Sequence, residues 1–387
     1  MTMKMSKDTQ LAMAAERARE VDARLLRNAL PGVASQVSTA RSSSARTLLD
    51  SRWATNSERL ASLDFVTSGD VLSDFKFIDL FAGIGGMRIP FDELGGECVF
   101  TSELDEHARS VYEANFGADH VMNTDVTSVD DCPEIVPDHD LVLAGFPCQP
   151  FSHAGKKLGF EDTRGTLFFS IANIVKAKQP RVLLLENVRG LKSHDGGNTL
   201  RVILGSLKEL GYEAHTDVLN ARDFGLPQNR NRLFIVAIRS DLLGASEYAF
   251  PEPTVSRGDL SVAMALDPSC DSDALTISDR LWDGHQQRRA RNQASGKGFG
   301  YQIVSPDSPY TATISARYYK DGSEILIAQE GLNPRLLSVR EAGNLQGFPS
   351  NFQFHESKKQ AYKQLGNAVP VNVIRALAAG LSKYLNA

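Results

Sequence analysis

Asp79-Leu-Phe-Ala-Gly-Ile-Gly-Gly86 is the stretch that decides how this chain folds. The short apolar run Phe77 to Phe81 leads straight into the glycines, a pattern that predicts a strand, a tight turn and then a helix. Glycines there let the backbone approach a nucleotide-like ligand closely. A nicotinamide fingerprint fits poorly, because Arg88 stands where its third glycine belongs. Pro90 falls in or near the first helical turn, where a missing N–H costs little. Glu103 lies about 20 residues past the first glycine, at the end of the next predicted strand, where an acid accepts hydrogen bonds from ribose hydroxyls. A purely structural turn would leave the same trace in the glycines.

Outward from this stretch the strand–turn–helix pattern repeats. Cys98 to Ser102, Leu141 to Ala144, Val182 to Leu185 and Leu233 to Ile238 read as strands. Helices are expected from about Asp105 to Phe116, over Thr166–Lys178 and over Asn198–Leu210. Continuous apolar runs between helices indicate strands buried on both faces of a mainly parallel sheet. The expected class is α/β, Rossmann-like, with a smaller irregular domain. The alternation stops at Pro251-Glu-Pro253. The chain accordingly divides into an extension over 1–74, a catalytic domain over 75–253, an irregular domain over 254–355 and a C-terminal return over 356–387. In the extension, Leu11 to Leu30 reads as helical and Ser35 to Arg46 as a Ser-rich loop.

Of the 387 residues, 42% are hydrophobic and 23% charged, as in soluble globular proteins. No apolar run is long enough to span a bilayer and no signal core opens the chain, so a cytoplasmic protein is expected. The four cysteines form no C-x-x-C pair, which argues against a zinc knuckle, and no metal is expected. The net charge of -5 speaks mildly against nucleic acid, but its distribution is uneven. Between Gly284 and Lys320 six basic residues face one acid, Asp307, with Phe299, Tyr301, Tyr310, Tyr318 and Tyr319 interleaved. A solvated basic loop and a nucleic-acid surface both fit that composition.

Three further motifs sit at strand ends, where open α/β sheets place their ligands. Gly145-Phe-Pro-Cys-Gln-Pro-Phe-Ser152 sets Cys148 in a Pro-flanked loop, a better place for a nucleophile than a core. Leu185-Glu-Asn-Val188 puts Glu186 at the mouth of the same crevice, and a thiol with a partly desolvated acid suits covalent catalysis. In Gln228-Asn-Arg-Asn-Arg232 the two arginines alternate on an extended segment and so share a face.

Taken in this order, the motifs resemble the cytosine-5 DNA methyltransferase family, bacterial restriction-modification type, over roughly residues 75–387. Late elements agree: Arg340-Glu341 with Gln346-Gly-Phe-Pro349, and Gly366-Asn-Ala-Val-Pro370. The resemblance implies S-adenosylmethionine as cofactor and double-stranded DNA as partner. It places Phe81, Gly83, Gly85, Glu103, Asp125, Asn367 and Ala368 on the cofactor. Cys148 becomes the nucleophile, and Glu186, Arg230 and Arg232 the groups that hold and activate a flipped cytosine. Two positions depart from the pattern: Leu104 stands for a Trp that stacks on adenine, and Asn344 for an Arg in a small-domain contact. Ile314 to Leu326, preceded by Lys297 to Tyr301, resembles the recognition region of enzymes acting on CC…GG sites. There Arg317 is the expected base reader, with Lys320 and Tyr318 beside it. A cognate restriction enzyme and a monomeric state also follow from the resemblance. Two alternatives remain: a tRNA cytosine-5 methyltransferase of the same fold, and an enzyme that doubles as a DNA-binding regulator through residues 1–74.

Overall fold

The computed structural model describes residues 75–118, 120–147, 166–243, 248–298 and 300–385. The expected extension, Cys148 and the loop that follows it, and Phe299 lie outside the described residues.

The first five strands are β1 (Lys76–Leu80), β2 (Glu97–Ser102), β3 (Val121–Asn123), β4 (Leu141–Gly145) and β5 (Val182–Val188). They run parallel in the spatial order β3-β2-β1-β4-β5. Two more, β6 (Tyr212–Asn220) and β7 (Asn231–Arg239), complete a seven-stranded sheet, with β7 antiparallel to both β5 and β6. The run Leu233–Ile238, read as one more buried strand of a mainly parallel sheet, is therefore antiparallel. Chain order reverses direction between β1 and β4, which makes their carboxyl ends the crevice of the sheet.

Period-two alternation sends the two faces of each strand into different cores. On one face Phe77, Leu141, Leu143, Val182, Leu184, Phe234 and Val236 meet α1 (Arg88–Glu93) and the C-terminal helix Val371–Leu385. On the other, Ile78, Leu80, Val142, Leu183, Leu185, Leu233 and Ile235 meet the helices Leu167–Lys178 and Asn198–Glu209. Burial on both sides explains why these strands read as unbroken apolar runs. Each such side chain contributes roughly 1.5–3 kcal/mol by leaving water.

Numbered along the chain, the helices are α1, α2 (Glu106–Phe116), α3 (Leu167–Lys178), α4 (Asn198–Glu209), α5 (Ser272–Leu275), α6 (Asp279–Ala294), α7 (Val339–Leu345), α8 (Lys358–Asn367) and α9 (Val371–Leu385). Asp105 caps α2, accepting from the N–H groups of His107 and Ala108 at 2.9 and 3.2 Å. A third core joins α1 and α2 to the stretch beyond 260: Ile89, Val111, Tyr112 and Phe116 pack with Val262, Ile314, Tyr318, Leu345, Phe352 and Leu365. Within that stretch the described residues form one short pair, β8 (Ile303–Val304) with β9 (Leu326–Ile327). The 16-residue α6 is a departure from the irregular stretch expected over 254–355. It buries only His285 completely and carries no apolar stripe for a sequence pattern to show.

Candidate active site

The turn after β1 is held in a conformation that few residues adopt. Phe81 has φ of 55° and Gly83 φ of 56°. A side chain on Gly83 would project into open space, so its backbone lies bare at the cavity wall. The Gly83 N–H donates to Glu103 Oε2 at 2.7 Å, and Glu103 Oε1 accepts from the Asp105 N–H at 2.8 Å. The carboxylate is thereby fixed before any ligand arrives. Gly85 answers a different need. A Cβ there would lie 2.2 Å from the Phe116 ring, and the residue does not line the cavity. The expectation that Gly85 touches cofactor is therefore corrected: this glycine permits α2 to pack. Arg88 is also buried, paired with Asp92 at 2.9 Å and lying 4.4 Å over the Phe116 ring.

One cavity of about 590 Å³ runs along the carboxyl ends of β1, β2, β4 and β5. Its walls include Phe81, Gly83, Glu103, Asp125, Asn367 and Ala368 on one side and Glu186 and Arg232 on the other. Of the seven expected cofactor residues, six line it. Asp125 has its own turn to hold, accepting from the Thr127 N–H at 3.0 Å and the Thr127 hydroxyl at 2.8 Å. Leu104 lines the same space and is 74% exposed, an apolar surface where the resemblance expects an aromatic one. These residues fit S-adenosylmethionine: a bare glycine backbone, a pre-set carboxylate, a second acid and apolar side chains in a cavity of ligand size.

Glu186 lies near the carboxyl end of β5, beside Gly145 of β4, and a Cβ on that glycine would sit 3.7 Å from Glu186 Oε2. Arg232 stands opposite Val188, diagonal to Glu186 on the same face of the sheet, and its Nε meets Glu186 Oε1 at 3.0 Å. Burial pushes the Glu186 carboxyl above its usual range; the guanidinium groups of Arg232 and Arg230 offset that only in part. Asp79, at the floor of the cavity, is pushed up by burial to about 7. Its Oδ2 accepts from the Tyr112 hydroxyl at 3.2 Å, while Oδ1 has no partner among the described residues.

Arg230 does not reach the base side, which corrects the second expectation. It is fully buried, and its guanidinium donates to the carbonyls of Ile314 at 3.1 Å, Gly366 at 2.9 Å and Ala368 at 2.5 Å. It stands two residues before Arg232, just outside β7, where its hydrogen bonds go to backbone oxygens while its charge still acts on Glu186. Tyr318 is the third correction. Its hydroxyl donates to the Ile325 carbonyl and accepts from the Leu337 N–H, both at 2.8 Å, and its ring is buried against Tyr362. It anchors a turn and offers nothing to DNA. Arg317 and Lys320, on either side of it, are exposed. Asn344 keeps a packing contact despite the departure from Arg, donating to the Ala265 carbonyl at 3.1 Å.

Two further residues have roles that no motif assigned to them. Asn187 donates to the Phe146 carbonyl at 2.8 Å and so steadies the loop that leads to Cys148. Lys363 lines the cavity and pairs with Asp105 at 2.7 Å; its spacing of four from Asn367 on α8 was the available signal. Among the described residues no cluster of three or more His, Cys, Asp or Glu could hold a metal, and no helix is long and apolar enough to cross a membrane.

Comparison with known proteins agrees with this geometry. Residues 75–383 match the family model for C-5 cytosine-specific DNA methylases. The chain is 52% identical over 313 residues to Type II methyltransferase M1.ScrFI of Lactococcus lactis subsp. cremoris, covering 80% of this chain and 79% of that one. It is 51% identical to Type II methyltransferase M.NlaX of Neisseria lactamica, covering 81% and 98%. The crystal structure of S. pombe Dnmt2 methyltransferase superposes with a TM-score of 0.62 at 20% identity, over 79% of this chain and 98% of that one, which is a likeness of fold. A crevice at the β1/β4 switch, a cofactor wall continuous with a Glu–Arg pair and a family match over most of the sequence lead to one conclusion: the chain belongs to the C-5 cytosine-specific DNA methylases and transfers a methyl group from S-adenosylmethionine to carbon 5 of cytosine in DNA.

Proposed function

We propose that this enzyme methylates the inner cytosine of a short palindrome with CC and GG ends, CCWGG or CCNGG, and that Cys148, Glu186 and Arg232 carry the chemistry. The observation behind the residue roles is the continuity of the cavity, in which Glu103 and Asp125 share one space with Glu186 and Arg232. The target base leaves the stack, since its ring is out of reach inside a duplex. The Cys148 thiolate forms a bond to carbon 6, and the displaced electron pair enriches carbon 5. Glu186, raised toward protonation by burial, donates its proton toward ring nitrogen 3 and accepts from the exocyclic amine. Arg232 steadies Glu186 and the 2-carbonyl oxygen. When bound, S-adenosylmethionine supplies the methyl as an electrophile on its sulfonium sulfur. Carbon 5 bonds to that methyl as the methyl–sulfur bond breaks; water takes the carbon-5 proton, the freed electron pair restores the double bond to carbon 6 as carbon 6 expels the Cys148 thiolate, and Glu186 recovers its proton from nitrogen 3. Glu103, Asp125 and Asn367 hold the cofactor in this reading, and Arg230 positions rather than touches.

The target site rests on the likeness of 297–326 to readers of CC…GG sites and on the exposed Arg317, since arginine reads guanine bidentately in the major groove. A cognate restriction endonuclease, a monomeric state and a cytoplasmic location complete the proposal. A tRNA acceptor is not favoured, given two relatives near 50% identity that are named Type II methyltransferases. Bisulfite sequencing of DNA from cells expressing the protein reads the modified base and its context together. Methylation concentrated at the inner cytosine of CC…GG sites is expected, and methylation chiefly elsewhere would remove the site proposal.

A further inference from the structure

A polar helix that buries one imidazole raises the question of what the imidazole holds. In α6, Arg288 Nη2 lies 2.7 Å from His285 Nδ1, and Arg288 Nη1 lies 2.8 Å from Asp321 Oδ2. His285 Nε2 is 3.1 Å from the Asp321 carbonyl oxygen. A guanidinium only donates, so Nδ1 is the acceptor. The proton of the neutral ring is then on Nε2, which donates to Asp321. The three groups close a ring of hydrogen bonds around Asp321.

Asp321 ends the short 3-10 turn Tyr318–Lys320, and its Oδ1 accepts from the Ser323 N–H at 3.1 Å. The other end of the turn is anchored by buried Tyr318. Lys320 is exposed between these two fixed points, and Arg317 is exposed immediately before them. We propose that His285, acting with Arg288, is the positioning residue of target recognition: by fixing Asp321 it sets the angle at which Arg317 and Lys320 meet DNA. This inference rests on the reading of Arg317 and Lys320 as DNA contacts.

The clamp depends on a neutral imidazole. Protonation removes the Nδ1 acceptor and sets a second cation against Arg288. The charged groups facing His285 are Arg288 from its own helix and Asp321 from the turn, with the Tyr301 ring at 6.3 Å. Burial, and then the Arg288 charge, keep His285 below the usual histidine range, so the clamp stays closed at neutral pH and opens only as the pH falls through that lowered value.

The test uses the full-length enzyme, S-adenosylmethionine and a pool of random duplexes read by bisulfite sequencing. The quantity is the rate at the wild type's own preferred context over the rate at its single-base neighbours, taken at about pH 7.5 and about pH 5.5. The wild-type ratio should fall on acidification. His285→Phe should lower it at least about tenfold at both pH values, the size of one poorly placed base contact, with cofactor affinity unchanged. His285→Asn keeps an acceptor for Arg288 and should give an intermediate ratio that no longer depends on pH. Wild-type discrimination in the Phe variant would overturn the proposal, as would equal losses of discrimination, cofactor affinity and turnover, which mark a merely structural residue. Should the Phe variant not fold, half-exposed Arg288→Gln carries the same expectations. A wild-type context other than CC…GG would count against the site assignment alone, because the ratio is defined on whatever context the wild type prefers.

Discussion

The cavity and the turn at Tyr318–Lys320, proposed above to face DNA, treat their polar side chains in opposite ways. Around the cavity, Glu103, Asp125, Asn187 and Glu186 each already have a protein partner. On the turn, buried Tyr318 and part-buried Asp321 are spent on structure, and the outward ones, Arg317 and Lys320, stand in solvent. Chemistry gains from groups that need not reorganise as charge develops. Reading a groove needs side chains that can still make their bonds. The same chain meets both demands by burying supports in each region and differing only in what it leaves free.

Substitutions can break this contrast, and the largest effect is expected at the proposed nucleophile. Cys148→Ser should slow methyl transfer by more than about 10³-fold, about 4 kcal/mol of barrier, with DNA binding retained. Single-turnover kinetics beside a gel-shift titration separate the two, and near-normal turnover would take Cys148 out of the reaction. Arg230→Met should act on stability instead, by about 3 kcal/mol, because three carbonyls, those of Ile314 and Gly366 in buried bonds, lose their donor. A lower denaturation midpoint is the expected result; a large drop in rate at unchanged stability would return Arg230 to the base.

Asp79→Asn sharpens the cavity side through pH. The fold raises this carboxyl from 3.8 to about 7, so it favours the protonated form. Its contribution to stability is full below the unfolded value and is lost as pH rises through about 7. The ligand-free wild type should therefore lose stability relative to the Asn variant between about pH 4 and about pH 7, by a few kcal/mol. Denaturant titrations across that window decide, and parallel curves would show that the buried charge is better compensated than the geometry indicates.

On the turn the effects are smaller and divide by role. Arg317→Ala should cost about 1–3 kcal/mol of discrimination at one base pair. Lys320→Ala should weaken binding to all sequences alike and reduce the salt slope by about one. Binding isotherms at several salt concentrations on matched and mismatched duplexes distinguish them, and a uniform loss for Arg317→Ala would make that residue a phosphate contact.

How much was legible in the sequence follows the same division. Strands buried on both faces, such as Val182–Val188, announce themselves as apolar runs, and glycine turns mark where they end. Glu186 and Glu103 were legible because a strand end fixes where a side chain points. The edge strand Tyr212–Asn220 was not, since it is only partly buried and its residues alternate without an apolar run. Helix α6 was hidden because its contacts are polar. Arg230, Gly85 and Tyr318 were placed by motif or by composition. Their contacts come from segments far off in sequence, the carbonyls of Ile314 and Gly366, the Phe116 ring and the Leu337 N–H, which no local pattern encodes.

The Arg230 guanidinium has a consequence for the order of folding. Its three acceptors lie 84, 136 and 138 residues further along the chain. Such a node forms only after the loops between its partners have closed, and closure over long separations is slow. The sheet strands with α3 and α4, built largely from nearer contacts, can condense first. Arg230 ties the Gly366–Ala368 wall to the segment that leads into the strand carrying Arg232. On refolding, the first methyl transfer should therefore lag behind compaction, and an activity trace that rises together with compaction would show that this tie forms early.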